Sequence, residues 1–165
     1  MVSTRVRNDR LAQVGRKRPA RTPWVLLGVG VGGLVDGIVL HQLLQWHHLL
    51  SSVDDPRTVG GLELNTLADG AFHVASLLVA LAGIAGIWLS WRRGSLAPRP
   101  AAATGLVLVG WGGFNVVEGL VDHLVLGVHH VRDDLGGPLA WDLGFLVLSA
   151  LVVGVGWVMA SAHPR

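Results

Sequence analysis

The sequence predicts an all-helical integral membrane protein, built as a bundle of four transmembrane helices. Hydrophobic residues make up 51% of the 165 residues and charged residues only 15%, a balance typical of membrane proteins rather than soluble domains. Four apolar runs each accommodate a helix of about 20 residues, the length that crosses the hydrocarbon core. A helical bundle is also the arrangement that satisfies the backbone of such runs in lipid.

The helices are predicted within one transmembrane domain, residues 23–161, at about 24–50, 64–91, 101–131 and 139–160. Pro23 suits the first turn of the first helix. The segments 51–63, 92–100 and 133–138 are rich in Gly, Pro, Asp or Arg and predict loops.

Charge predicts the orientation. Residues 1–22 are expected to form a disordered, basic cytoplasmic tail, and this tail, the 92–100 turn and the C-terminus hold 11 of the 13 basic residues. The positive-inside rule then places both termini in the cytoplasm. We expect a multi-pass protein of the bacterial cytoplasmic (inner) membrane, whose first apolar run is a retained anchor and not a signal peptide. A basic tail beside a membrane helix indicates anionic lipid rather than nucleic acid as its partner.

An acid–Gly–x3–His–x5–His–His pattern occurs twice, from Asp36 to His48 and from Glu118 to His130, 82 positions apart. The following helices match less closely: Asp69 aligns with Asp142, while His73 falls opposite Leu146. Since the first and third helices run in the same direction, the pattern predicts two parallel, pseudo-repeated helical hairpins, related by an axis along the membrane normal.

Ionisable side chains in membrane helices are costly and indicate a functional site. Seven imidazoles and five carboxylates fall in the predicted outer half of the bundle, on the extracytoplasmic side. The candidate metal ligands and their supporting groups are His41, His47, His48, His73, His123, His129, His130, Asp36, Glu118, Asp69, Asp122 and Asp142. Such donors from facing helices build metal centres in bundles and favour iron, manganese, zinc or a histidine-bound copper. Cysteine is absent, which excludes thiolate ligands.

There are too many donors for one mononuclear site, so the sequence predicts a dinuclear centre in which the surplus groups orient the ligands. Regular α-helical geometry puts His41 and His48 on one stripe and Asp36 and His47 on another. Two stripes per helix indicate either two sites or one wide site with supporting partners. For a dinuclear oxidoreductase, the expected ligands are His41, His48, His73, His123 and His130, with Asp36, Glu118, Asp69 or Asp142 bridging or supporting them. Solvated histidines at the helix ends, or a carboxylate hydrogen-bonded between helices, are the structural alternatives.

The residues from Gly33 to His48 resemble the motif of an uncharacterised family of bacterial four-helix membrane proteins, domain of unknown function 2243. Asp69-Gly70-x-Phe72-His73, the stretch from Phe114 to His123, and Trp141-Asp142 extend the likeness over residues 24 to 160. The resemblance implies a fold without an assigned activity, and a link to copper-dependent cytochrome oxidase assembly. A weaker chemical similarity is to the membrane di-iron hydroxylases and desaturases.

Three functions follow as hypotheses. The first is a metal-dependent oxidoreductase that acts on a lipid-soluble substrate. The second is copper handling or delivery for respiratory oxidase assembly, and the third is haem binding through His41 and His123. The sequence leaves open whether catalysis occurs, and whether the partner is a second copy of the chain or a respiratory-chain protein.

Overall fold

The computed structural model describes residues 19–162 and contains four long helices, with no strand in that part of the chain. They are α1 (Thr22–Asp36), α2 (Val59–Arg92), α3 (Pro100–Glu118) and α4 (Leu139–Ser161). Two seven-residue π-helices, Gly37–Leu43 and Gly119–Val125, continue α1 and α3, and a 3-10 turn covers Asp133–Leu135. Most of the predicted tail, residues 1–18, lies outside the described residues.

All four helices are long and apolar enough to cross a membrane, when α1 and α3 are counted with their π-helical extensions. This confirms the prediction of an all-helical membrane fold. In residues 19–162, eleven polar or charged residues are buried but only three apolar ones, Ala80, Leu106 and Val131. Large apolar side chains instead cover the outer surface. The fold therefore has a polar interior and an apolar exterior, which suits a lipid solvent.

The helices form two hairpins, α1 with α2 and α3 with α4, which are joined through α1 and α3. Among the described residues, α2 and α4 make no contact with each other, so each outer helix packs on one central helix. A Cβ on Gly28 would overlap the carbonyl of Val107, and a Cβ on Gly110 would overlap that of Val25. The two contacts are equivalent by the 82-residue repeat, as expected if a pseudo-two-fold axis runs between α1 and α3. Small residues allow such close helix approach in membranes.

The observed helix ends differ from the predicted ones. The first helix ends at Leu43 and the third at Val125, where the sequence predicted about 50 and 131, while α2 starts at Val59 rather than about 64. Thr58 explains the early start, since its hydroxyl accepts a hydrogen bond from the Gly61 amide at 3.0 Å and caps the helix. The early ends come from the turns that build the site.

Candidate metal centre

The chain leaves both central helices by the same turn. Gln45 and Gly127, which are 82 positions apart, have φ values of 51° and 60°, in the left-handed region. The amide that follows each of them donates back to the helix, Trp46 to the Leu40 carbonyl and Val128 to the Asp122 carbonyl, both at 3.0 Å. A left-handed residue followed by such a bond is a common helix ending. After each turn the chain folds back over the end of the bundle.

This ending brings four imidazoles together at the pseudo-two-fold axis. The rings of His47 and His129 stack with centroids 4.7 Å apart and an angle of 7° between their planes. The ring centroids of His41 and His47 are 4.6 Å apart, and those of His123 and His129 are 4.7 Å apart. All four side chains are at most 2% exposed. We call these four residues the imidazole cluster.

In the cluster, three of the Nδ1 atoms are held by protein acceptors. His41 Nδ1 donates to Asp69 Oδ1 at 2.8 Å. His47 Nδ1 donates to the Val131 carbonyl at 3.1 Å, and His129 Nδ1 donates to the Leu49 carbonyl at 3.0 Å. The last two bonds cross between the halves and mirror each other. A neutral imidazole carries one N–H, so in the neutral form each of these rings has a bare Nε2 lone pair.

Those Nε2 atoms face acceptors or have no partner. His41 Nε2 lies 3.2 Å from Asp36 Oδ2, while His129 Nε2 and His123 Nε2 each lie 3.0 Å from Glu118 Oε1. The buried atoms without a hydrogen-bond partner in the described part of the chain include His41 Nε2, His47 Nε2, Asp36 Oδ2 and Glu118 Oε2. Buried acceptors that face one another require a proton or a metal cation between them.

Two carboxylates on the outer helices hold the cluster in place. Asp69 on α2 binds His41, accepts from His48 Nδ1 at 2.7 Å and accepts from the Leu49 amide at 2.9 Å. Asp142 on α4 accepts from His130 Nδ1 at 2.8 Å and from the Val131 amide at 2.9 Å. Its Oδ1 also lies 3.4 Å from His123 Nδ1. Each carboxylate therefore fixes the returning loop of its own half, and Asp69 also binds the central-helix imidazole of His41, whereas His123 Nδ1 makes no hydrogen bond among the described residues.

The structure brings most of the predicted site residues together. Their positions differ from those predicted for a straight α-helix. His41 and His47 of the first half come together with His129 of the second, because the left-handed turns bring His47 and His129 inward. His48 and His130, which the sequence placed on the ligand stripe, instead support the cluster through the outer-helix carboxylates.

Two predicted residues belong neither to the imidazole cluster nor to the groups that contact or support it. His73 on α2 packs against Gly37, and its buried Nε2 has no hydrogen-bond partner in residues 19–162. Asp122 is partly buried beside the cluster, and its carboxylate makes no hydrogen bond within the same residues. Neither side chain belongs to the ligand-atom groups described below.

An aromatic cap that sequence reasoning missed covers the cluster end of the bundle. The Arg132 guanidinium lies 4.5 Å from the Trp46 ring and 5.0 Å from the Trp141 ring. Asp134 accepts two hydrogen bonds from Arg132 at 2.7 Å, and the guanidinium holds the pKa of Asp134 below its usual value. No local signal in the sequence pairs the two tryptophans with Arg132.

The two returning loops are also bonded to each other. Ser51 donates a hydroxyl hydrogen bond to Asp133, and Asp134 donates its amide to the Trp46 carbonyl at 3.1 Å. Asn65 accepts from the Leu50 amide at 3.0 Å. Asn65 lies one helical turn before Asp69, and this spacing is the signal in the sequence that could have predicted its contact with the loop. These bonds close the site from one end of the bundle.

The geometry has the donors that a metal ion requires. Ligand atoms of His41, His47 and His129 lie within 4.8 Å of one another, and so do those of Glu118, His123 and His129. Burial, with His129 and His41 nearby, lowers the pKa of His47 well below its ordinary value. Its imidazole is therefore neutral, which is the form that coordinates metals.

The chain belongs to the family described as "Predicted membrane protein (DUF2243)", whose model matches residues 24–163. This confirms the resemblance carried by the histidine-rich motifs. No curated protein and no solved structure matches the chain. The family describes a membrane protein without an assigned activity, so function has to be argued from the site.

Proposed function

We propose that the imidazole cluster is a dinuclear transition-metal centre, used for oxidation and reduction of a lipid-soluble substrate. The observation that carries the proposal is the contrast between the two ring nitrogens. Nδ1 of His41, His47 and His129 donates to a carboxylate or a carbonyl, while Nε2 points to other acceptors or to no partner. Metal-bound histidines have this arrangement, because the second nitrogen fixes the ring and raises its basicity.

The count of donors supports two ions. One group of ligand atoms comes from His41, His47 and His129, and the other from Glu118, His123 and His129, while Asp36 lies 3.2 Å from His41. Two imidazoles and one carboxylate form the donor set of non-haem iron oxygenases, and paired sets from facing helices build dinuclear centres in bundles. Asp36 and Glu118 would be ligands, and Asp69 and Asp142 would orient the imidazoles. Bound iron or manganese would supply one-electron chemistry.

The surroundings support a substrate that arrives through lipid. The aromatic cap and the bonded loops close the end of the bundle, whereas the outer surface at the depth of Asp69 is apolar. At this depth the outward face of α2 from Leu62 to Leu78 is open and mainly apolar. The protein's own residues would hold the ions and exclude bulk water.

The same geometry favours bare ions over haem. His41 and His123 do not face an open slot, because His47 and His129 fill the space between them. The centroid of His41 is 6.0 Å from that of His129, and the His47 centroid is 6.0 Å from that of His123. A porphyrin between two axial histidines requires that space, so haem binding would require the cluster to separate.

Metal analysis of the detergent-purified protein tests the proposal, with His129→Ala as the main variant and His73→Leu as the control. We expect about two equivalents of iron or manganese in wild type and in the control, and loss of most metal in His129→Ala. The absorption spectrum should lack a Soret band. Protein that stays metal-free after anaerobic incubation with Fe(II) would contradict the centre. Tightly bound zinc would contradict the redox role, and one labile copper ion would favour metal delivery.

We also propose that both termini are cytoplasmic and that the cluster faces the extracytoplasmic side of the bacterial inner membrane. Charge supports this orientation, since Arg92, Arg93 and Arg99 lie at the end opposite the cluster. The chain has no cysteine, so single-cysteine variants give a clean test. In intact cells, an impermeant maleimide should label Asp54→Cys but not Ser95→Cys. The reverse pattern would invert the orientation.

A further inference from the structure

We propose that the end of the bundle opposite the imidazole cluster binds one anionic phospholipid, in a cleft between the ends of α1, α3 and α4. This site is separate from the proposed metal centre and does not depend on it. A cavity of about 630 Å³ is lined by Arg21, Arg99, Pro98 and Ala162, among others. A second cavity of about 270 Å³ adjoins it and shares Arg21, Leu106 and Ala160.

The first cavity has the features of a headgroup site. Arg21 immediately precedes the span of α1, Arg99 immediately precedes that of α3, and α4 ends at Ser161. Three helix ends therefore meet at the level where phosphates lie in a bilayer. The N-termini of α1 and α3 add partial positive charge at this level.

Both guanidiniums are exposed, and each contacts a carbonyl at the C-terminal end of α4 or just after it. Arg21 Nη2 donates to the Ala160 carbonyl at 3.5 Å, and Arg99 Nη2 donates to the Ala162 carbonyl. A guanidinium has five N–H donors, so one bond to a carbonyl leaves donors for a phosphate. Paired arginines at fixed positions are well suited to phosphate recognition.

The second cavity has the features of an acyl-chain groove. It is lined by Val25 on α1, Val109 on α3 and Trp157 on α4, all of which lie inside the spans. Since it opens among lipid-facing residues and continues into the arginine-lined cavity, the two parts match a charged headgroup joined to an acyl chain. A soluble phosphate would use only the first part. The structure therefore favours a lipid over a free anion.

The pseudo-symmetry predicts one lipid per chain. The residue equivalent to Arg21 in the second half is Ala103, 82 positions later. The second half therefore has no guanidinium at the position equivalent to Arg21. The preference for an anionic headgroup should arise on one side of the bundle only.

Native mass spectrometry of the full chain in detergent tests this, with phosphatidylglycerol and phosphatidylcholine of matched acyl chains as probes. We expect wild type to retain one phosphatidylglycerol with at least a tenfold preference, and the Arg21→Gln/Arg99→Gln variant to lose that preference. The matched control is Arg92→Gln/Arg93→Gln, two arginines of the same loop end that do not line the cleft. Equal loss in test and control variants would overturn the site in favour of general charge attraction.

The groove is tested separately by Val109→Trp, which fills it. We expect this variant to retain less phosphatidylglycerol than wild type, and glycerol phosphate without acyl chains to leave the lipid bound at equal concentration. Displacement by glycerol phosphate would overturn the choice of a lipid. Thermal unfolding checks that each variant is folded. If the double variant unfolds without cooperativity, the single arginine variants decide, and an unchanged preference in both would overturn the proposal.

Discussion

The two hairpins hold their imidazoles through equivalent atoms but differ in the reach of the deep carboxylate. In the first half Asp36 approaches only His41, at 3.2 Å. In the second half Glu118 Oε1 lies 3.0 Å from both His123 and His129. The extra methylene of Glu118 extends its carboxylate to the central stack. The repeat thus fixes the positions of the imidazoles, while the choice of acid determines which half makes more contacts with them.

The largest difference between the halves is expected when each deep carboxylate is neutralised. Glu118→Gln weakens contacts to two imidazoles and Asp36→Asn to one. Removal of a metal ligand lowers metal affinity more than removal of a group that orients a ligand, which typically costs about 10- to 100-fold in affinity. We therefore expect metal affinity to fall by more than about 100-fold in Glu118→Gln and by less in Asp36→Asn. Chelator competition measures both constants, and a larger loss in Asp36→Asn would contradict the unequal halves.

Asp69→Asn and Asp142→Asn compare the supporting carboxylates. Each accepts a hydrogen bond from a loop imidazole and from a loop amide, so the two variants should have similar effects. Metal affinity should fall by about 10- to 100-fold in each, measured by the same competition. Asp134→Asn, a carboxylate of the cap that contacts no imidazole, is the control. A loss confined to one of the two variants would show that the halves do not share this function.

Gly28→Ala and Gly110→Ala test the symmetric contact of α1 with α3. Each new Cβ would overlap a backbone carbonyl, so the helices must separate. Overpacking of this kind costs about 1–3 kcal/mol, and thermal unfolding should show similar losses for both. Gly113→Ala is the control on α3, because a Cβ there meets nothing within 4 Å. Destabilisation in the control equal to that in the tests would remove the argument from close approach.

The smallest effect is expected where the halves already differ. His73→Leu gives the first half the residue of the second, Leu146, and removes a buried nitrogen without a partner among the described residues. Stability should change by no more than about 0.5 kcal/mol or rise, and metal content should stay at two equivalents. A loss of metal in this variant would place His73 in the centre and would undermine its use as a control.

The helices, the repeat and the set of candidate ligands could be predicted from the sequence, because apolar length and buried ionisable groups are local signals. The inward positions of His47 and His129 could not. They depend on a left-handed turn for which Gly127 is a readable signal but Gln45 is not. They depend also on loop amides bound by Asp69 and Asp142 from other helices. A straight helical register therefore placed His48 and His130 on the ligand stripe.

The outer-helix carboxylates have a consequence for how the chain is made. The carboxylate–imidazole pairs lie within the hairpins. Those of the first hairpin join Asp36 and Asp69 to His41 and His48, and those of the second join Glu118 and Asp142 to His123 and His130. Among the imidazoles of the described residues, only those of His47 and His129 hydrogen-bond across, to backbone carbonyls. During synthesis, the first hairpin can therefore leave the translocation machinery with its carboxylates already partnered. Pairing of the hairpins in the bilayer then assembles the site as the last step of biogenesis.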